Sequence, residues 1–164
     1  MKKLYTGILA MLGMFIILSA SAEAQTIQVG GGVGYGTKSE DPNVSVGIYY
    51  RLPTLPLRLG ADVKFAKPES DLTQIDGNFN VHFMVVDTDL ISLYSITGLN
   101  VAHARFSVGS ETVTDTDTGF NVGAGGELDL GFGRGFGEAV YVLGSDREEQ
   151  WQLGVGVRVN ISNR

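Results

Sequence analysis

The side chains that most often perform catalysis are scarce in this 164-residue chain, which has two histidines and no cysteine. His103 and Ser107 lie in a segment with a strand-like pattern, so both would occupy one face of a strand. Their spacing then separates them by about 13 Å, too far for a hydrogen-bonded nucleophile and base. We therefore predict no catalytic residues and expect that the chain is not an enzyme.

Acidic residues offer a second route to chemistry, because carboxylates are ligands for divalent cations. Asp115 and Asp117 are separated by one residue in a stretch rich in Thr and Asp. A solvated loop is the preferred interpretation of this pair, and weak cation binding is the alternative. Without cysteine the chain has no thiolate ligand and no disulfide. We therefore expect neither a metal site nor a cofactor.

A larger set of charged and polar residues alternates with apolar residues along strand-like segments. The set carries both signs of charge, and opposite charges that point into one small lumen can pair, as buried charge requires. We predict that Arg158 pairs with Glu138, with further help from across the lumen. The predicted lumenal polar network consists of Arg51, Arg58, Asp62, Lys64, Asp76, His82, Glu127, Asp129, Glu138 and Arg158.

The segments that carry this set alternate apolar and polar residues, and the last one does so most regularly. From Trp151 to Ile161 every second residue is apolar, which predicts one strand with an apolar and a polar face. Its eleven residues are close to what a tilted strand needs to cross a bilayer. The predicted strands cover residues 27–36, 44–52, 57–66, 74–86, 90–107, 120–130, 136–144 and 151–161.

The connections alternate between tight turns, near positions 54, 88 and 133, and longer acidic loops. These loops are predicted at 37–43, 67–72, 109–118 and 145–149, the third being the longest. The first half of the segment 90–107 alternates poorly, which indicates a bulge. An even strand count with turns at one end and loops at the other is typical of a transmembrane barrel. The predicted fold class is all-β: an eight-stranded antiparallel up-and-down transmembrane β-barrel.

Alternation alone leaves the direction of the two faces open. A soluble, lipocalin-like barrel in the periplasm would bury the apolar face, whereas a transmembrane barrel would turn it toward lipid. Glycines crowd the polar face, where they would make room in a narrow lumen for long side chains. Aromatic residues fall near strand ends, as an interfacial girdle requires. These aromatic residues are Tyr35, Tyr50, Phe106, Phe120, Phe136 and Trp151.

The first residues have the pattern of a secretory signal peptide. Lys2 and Lys3 precede an apolar run, and Ala22-Glu23-Ala24 supplies a small-x-small cleavage site before Gln25. We therefore predict a signal peptide at 1–24 and one barrel domain at 25–164. The mature chain carries ten bases and seventeen acids, a net charge of −7, and no basic patch for nucleic acid. The four loops alone sum to −7, so the remainder is balanced.

Three segments carry a family resemblance: the glycine-rich 118–130, 136–141 and the final 153–159. With them the chain resembles the small eight-stranded outer-membrane β-barrels of Gram-negative bacteria, the OmpA-like and OmpX-like barrels. The resemblance implies an outer-membrane location and a structural or interaction role in the envelope. It also implies contact with outer-membrane lipid and lipopolysaccharide, recognition by the barrel-assembly machinery, and a monomer.

The resemblance leaves other functions to weigh. Family members usually end on an aromatic residue that assists assembly, whereas here Ile161 is followed by Ser162, Asn163 and Arg164. Some small barrels are lipid-modifying enzymes, so that class is the alternative to a structural role. A permanent solute channel is not expected, because eight strands leave an interior that side chains can fill.

Overall fold

The computed structural model describes residues 26–38, 40–69, 72–108, 111–144 and 149–161. The predicted signal peptide and its cleavage site lie outside these residues. Among the described residues, no helix is long and apolar enough to span a membrane.

Eight antiparallel strands form a closed barrel in the described part of the chain, each pairing with its neighbours in sequence and β8 pairing with β1. This is the predicted up-and-down order. The strands are β1 (Thr26–Gly36), β2 (Asp41–Arg51), β3 (Leu57–Glu69), β4 (Leu72–Asp87), β5 (Ile91–Val108), β6 (Glu111–Asp129), β7 (Arg134–Gly144) and β8 (Gln150–Asn160).

The strands are staggered around the barrel. A path that starts at Ile27 and passes from each residue to its paired residue on the next strand returns to β1 at Thr37, ten residues beyond Ile27. We call this path the ladder. A stagger of this kind requires strands tilted by roughly 40° to the barrel axis. The ladder runs through Ile27, Tyr50, Leu59, Val81, Thr97, Val122, Tyr141 and Trp151, whose carbonyl accepts from the Thr37 amide.

The two ends of the barrel differ. At the turn end, which also holds Thr26 and Ile161, short connections at 52–56, 88–90 and 130–133 are closed by backbone hydrogen bonds. In the last of them Gly131 has a φ of 85°, a conformation that favours glycine. β1, β3, β5 and β7 end at the opposite end of the barrel, which we call the loop end.

The hairpin formed by β5 and β6 corrects the prediction that 109–118 is the longest loop. Residues 111–118 belong to β6 and pair with 101–108 of β5. Threonine occupies every second position of this stretch, from 112 to 118, and β-branched residues favour the extended conformation. The loops predicted at 37–43 and 67–72 are also shorter, because β2 begins at Asp41 and β3 extends to Glu69.

The irregularity predicted in the first half of 90–107 lies on the neighbouring strand instead. Met84 pairs with Tyr94 and Val86 with Leu93, so the bulge leaves Val85 of β4 unmatched. The pattern in β5 is unclear for another reason, because Tyr94 and Ile96 point inward and are buried. Apolar side chains inside the barrel therefore obscured the alternation.

The two faces point as the sequence predicted for a transmembrane barrel. Apolar side chains project outward, and Val46 and Phe120 remain 60% and 62% exposed. Polar side chains of the same strands project into the lumen and are buried. Tyr35, Phe120 and Trp151 project outward as predicted. Phe136 does not, and the side chain of Phe106 lies outside the described residues.

Candidate functional site: the lumenal polar network

Arg158 projects into the lumen and is completely buried. Its Nη2 donates to Oε1 of Glu138 at 2.6 Å, the partner that the sequence suggested. Its Nη1 donates to Oε1 of Glu127 and to the hydroxyl of Tyr94, the latter at 2.9 Å. Glu127 is on β6, two strands from Arg158, so contacts across the lumen supplement those between adjacent strands.

Arg58 reaches the same carboxylate from the opposite wall and is 1% exposed. Its Nη1 donates to Oε1 of Glu127 at 2.7 Å, and its Nη2 lies 2.9 Å from Nδ1 of His82. A guanidinium can only donate, so Nδ1 of His82 is the acceptor and the ring is neutral with its proton on Nε2. We call Arg58, Arg158, Glu127 and Glu138 the arginine cluster; its four formal charges cancel.

Aromatic rings enclose the arginine cluster. The guanidinium carbon of Arg158 lies 4.0 Å from the ring centroid of Phe136 and 4.1 Å from that of Tyr49. Arg58 lies 4.7 Å from the ring of Tyr94, which also stacks on His82 with centroids 4.9 Å apart. These distances permit cation–π attraction in a desolvated site. Phe136 is therefore a lumenal residue and not part of an aromatic girdle. The sequence could have indicated this, because Phe136 and Glu138 are two residues apart and so share one face of β7.

Glycines on the lumenal face provide the space for these large side chains. A β-carbon at Gly125 would lie 2.6 Å from Cε2 of Tyr94 and 2.8 Å from Cγ of Glu138. A β-carbon at Gly30 would lie 2.8 Å from Cγ of Arg158. Such distances are shorter than carbon–carbon contact allows. The glycine-rich face is thus complementary to the arginine cluster, as the sequence pattern suggested.

Amide side chains fill the lumen next to the arginine cluster, toward the loop end. Asn78 donates to Oδ1 of Asp62 at 2.9 Å, and Asn80 donates to Oδ2 at 3.4 Å. Asn100 and Asn121 in turn donate to the carbonyl oxygen of Asn78, at 2.8 and 2.9 Å. None of the four asparagines belongs to the predicted network, although all four alternate with outward residues of their strands.

A third group of contacts lies closer to the loop end. Lys64 donates to the amide oxygen of Gln152 at 2.6 Å. Gln152 and Gln74 donate to the two oxygens of Asp76, at 3.3 and 2.9 Å. Lys64 and Asp76 are thus joined through a glutamine that the sequence analysis did not include.

Two members of the predicted network lie at the turn end. Arg51 forms a half-exposed ion pair with Asp87. Asp129 is exposed, and its Oδ1 accepts from the Gly131 amide at 2.6 Å, so it is not joined to the arginine cluster. Arg134, absent from the prediction, reaches that cluster instead: its Nε lies 3.5 Å from Oε2 of Glu127.

The histidine and acidic residues considered for chemistry lie near the loop end. His103 projects outward, and its Nδ1 lies 2.9 Å from the hydroxyl of Thr116 on β6. The side chain of Ser107 lies outside the described residues. Asp117 is buried and accepts from the Thr118 amide at 2.8 Å, whereas Asp115 is exposed. The structure therefore does not bring this carboxylate pair to one buried site.

Comparison with known proteins defines the fold. No protein-family model matches the chain, and no curated protein matches its sequence. Solved structures do match. The N-terminal β-barrel domain of Pseudomonas aeruginosa OprF aligns at 14% identity and a TM-score of 0.70, over 83% of this chain and 97% of that one.

Two further structures agree. Neisserial surface protein A aligns at 15% identity and a TM-score of 0.66, covering 84% of this chain and 97% of that one. A major outer membrane protein from Thermus thermophilus aligns at 11% identity and a TM-score of 0.67, covering 85% of this chain and 100% of that one. The chain therefore has the fold of the small eight-stranded outer-membrane β-barrels.

Proposed function

We propose that this chain is an outer-membrane β-barrel protein with a structural or interaction role in the bacterial envelope. The observation that carries the proposal is its continuous apolar outer surface. Large apolar side chains project outward and are exposed on seven of the eight strands, among them Val33, Val46, Phe120 and Val155. An apolar surface of this extent is unfavourable in water but matches the hydrocarbon of a bilayer.

The interior supports the same proposal. A soluble barrel with a ligand cavity would hold apolar side chains inside, whereas here Arg58 and Arg158 are buried in the lumen. Their charges are matched by Glu127 and Glu138. A barrel that faces lipid must keep its charges inside and paired, because unpaired charge in a low-dielectric interior is costly.

We further propose that side chains close the lumen to solutes. Arg58 on β3 and Arg158 on β8 donate to one carboxylate oxygen of Glu127 on β6, so these contacts cross the lumen. The amide side chains around Asp62 occupy the next level toward the loop end. Planar-bilayer recordings should therefore show no steady single-channel conductance. A stable open level would contradict a closed lumen while leaving the barrel itself intact.

Single-cysteine labelling tests the outer-membrane proposal, because the chain has no cysteine of its own. In lipid vesicles, Val155→Cys should resist water-soluble maleimides. A fluorophore attached to this cysteine before reconstitution should lose emission when the lipid chains carry quenchers. Gln152→Cys on the lumenal face is the matched control, and it should not sense those quenchers. In a soluble, lipocalin-like periplasmic binder, no site would sense lipid, and that result would refute the proposed location.

A lipid-modifying enzyme is the second candidate, because His103 and Thr116 lie within hydrogen-bond distance on the outward face. A base of this kind is usually oriented by a third group. Among the described residues, no carboxylate bonds to His103. We therefore propose that the protein is not an enzyme. Lipid A incubated with the folded protein should keep its mass, and loss or gain of an acyl chain that depends on His103 would refute this.

A further inference from the structure

Charge is divided between the two faces of the β5–β6 hairpin near the loop end. Asp115 and Asp117 occupy inward positions of β6, and Asp117 is buried. His103 and Arg105 occupy outward positions of β5 and are exposed. The residues paired with these two bases are Ile75, Thr73, Thr116 and Thr114. The described outward side chains around the bases therefore carry hydroxyl and methyl groups and no carboxylate.

The stagger of the strands gives the height of this face. Each ladder step from β1 toward β8 rises about 3 Å, and each residue along a tilted strand rises about 2.5 Å. Thr97 lies three ladder steps below Trp151 and six residues before His103. His103 therefore lies about 6 Å, and Arg105 about 11 Å, beyond the level of Trp151.

That height corresponds to the headgroup layer of a membrane. Exposed tryptophan is typical of the boundary between hydrocarbon and headgroups, and the headgroups add about 5–8 Å on each side of the hydrocarbon. Leu99 and Val101, directly below His103 on the same face, are exposed and apolar. His103 thus lies within the headgroup layer, and Arg105 begins just above it, from where its long, flexible side chain can reach down to the level of the lipid phosphates.

Both bases have donors to offer a ligand. Among the described residues Arg105 forms no ion pair and no hydrogen bond. Nδ1 of His103 lies within hydrogen-bond distance of the Thr116 hydroxyl; where Nδ1 accepts from that hydroxyl, the ring carries its hydrogen on Nε2 and can donate it to a ligand. Their Cβ atoms are about 7 Å apart as alternate residues of a strand, a spacing from which both side chains can reach one phosphate group.

We infer that Arg105 and His103, with the hydroxyl group of Thr114, bind the phosphate of a lipid headgroup in the outer leaflet. Arginine suits this ligand, because its guanidinium forms paired, charge-assisted hydrogen bonds to phosphate oxygens. The acidic loops would repel free anions, whereas a lipid presents its phosphate from the side, below the loops. This inference rests on the proposed outer-membrane location.

Calorimetric titration of the folded protein in maltoside micelles with lipid A tests the inference. Arg105→Gln should weaken binding on the order of tenfold, since it removes charged hydrogen bonds to phosphate. Lys38→Gln is the matched control, because it removes one exposed positive charge at the same end of the barrel. It should change the dissociation constant less than twofold. Equal losses in both variants, or none with Arg105→Gln, would overturn the site.

Two further titrations identify the ligand. Dephosphorylated lipid A should bind the wild type and Arg105→Gln equally weakly; a preserved difference between them would exclude phosphate as the recognised group. Inorganic phosphate in large excess should not displace lipid A, and displacement would make free phosphate the ligand. Each variant is first shown to keep its heat-sensitive gel mobility. Failure of the lipid site is thereby distinguished from failure of the barrel.

Discussion

Removing Arg158 should destabilise the barrel severely, because the change leaves the largely buried carboxylate of Glu138 without its cation. In Arg158→Ala, Glu127 keeps Arg58 at 2.7 Å. Glu138 keeps only its hydrogen bond from the hydroxyl of Tyr94 at 2.8 Å, so most of the lost stability comes from its unpaired carboxylate. Breaking a buried pair in this way costs about 3–5 kcal/mol. The measurement is urea unfolding in phospholipid vesicles, followed by Trp151 fluorescence and gel mobility.

Two variants separate this effect from a general loss of charge. Arg51→Ala removes a half-exposed pair with Asp87 and should cost less than about 1 kcal/mol. Adding Glu138→Gln to Arg158→Ala should restore more than about 1 kcal/mol, because the stranded carboxylate is gone. Surface substitutions usually change the unfolding free energy by less than about 0.5 kcal/mol. A loss in that range for Arg158→Ala would mean that Arg158 is solvated. The reasoning about the lumen would then be refuted.

Three further predictions concern packing, orientation and closure. Gly125→Ala should cost about 1–3 kcal/mol, since its β-carbon would meet Tyr94 and Glu138, whereas Gly137→Ala, with open space around it, should be nearly neutral. Equal unfolding midpoints for the two would contradict the packing argument. Val157→Arg should cost about 2–4 kcal/mol in a bilayer, and an unchanged unfolding free energy would show that this face does not contact lipid. The unheated protein should migrate differently from the heated protein in dodecyl sulphate gels, because a closed barrel lacks free edges; identical mobility of a protein shown to be folded would count against closure.

The strands and their faces could be predicted because side chains alternate with period two whatever the tertiary structure. This pattern identified eight segments and placed Arg158, Glu138 and His82 on the inner face. The pattern was weakest in β5, where Tyr94 and Ile96 are buried inside the lumen. There, inner and outer residues are both apolar, and the bulge was assigned to β5 although it lies in β4.

The partners of the lumenal residues could not be predicted in the same way. Arg58 and Arg158 share the carboxylate of Glu127. This contact depends on the ten-residue stagger and on the pairing of β8 with β1, and no local sequence pattern contains either of these. The length of the β5–β6 hairpin was missed because Asp and Thr favour loops as well as strand edges. Phe136 was misassigned because its position near a strand end outweighed its register with Glu138.

Quenching of Trp151 by brominated phospholipids tests the transmembrane account most directly. Trp151 is the one tryptophan of the chain, projects outward and is 48% exposed. In vesicles, lipids brominated near the headgroup should quench its fluorescence strongly, and lipids brominated near the chain ends should quench it less. A soluble barrel, or one with its apolar face inward, would show the same fluorescence with and without bromine, and that result would contradict the account.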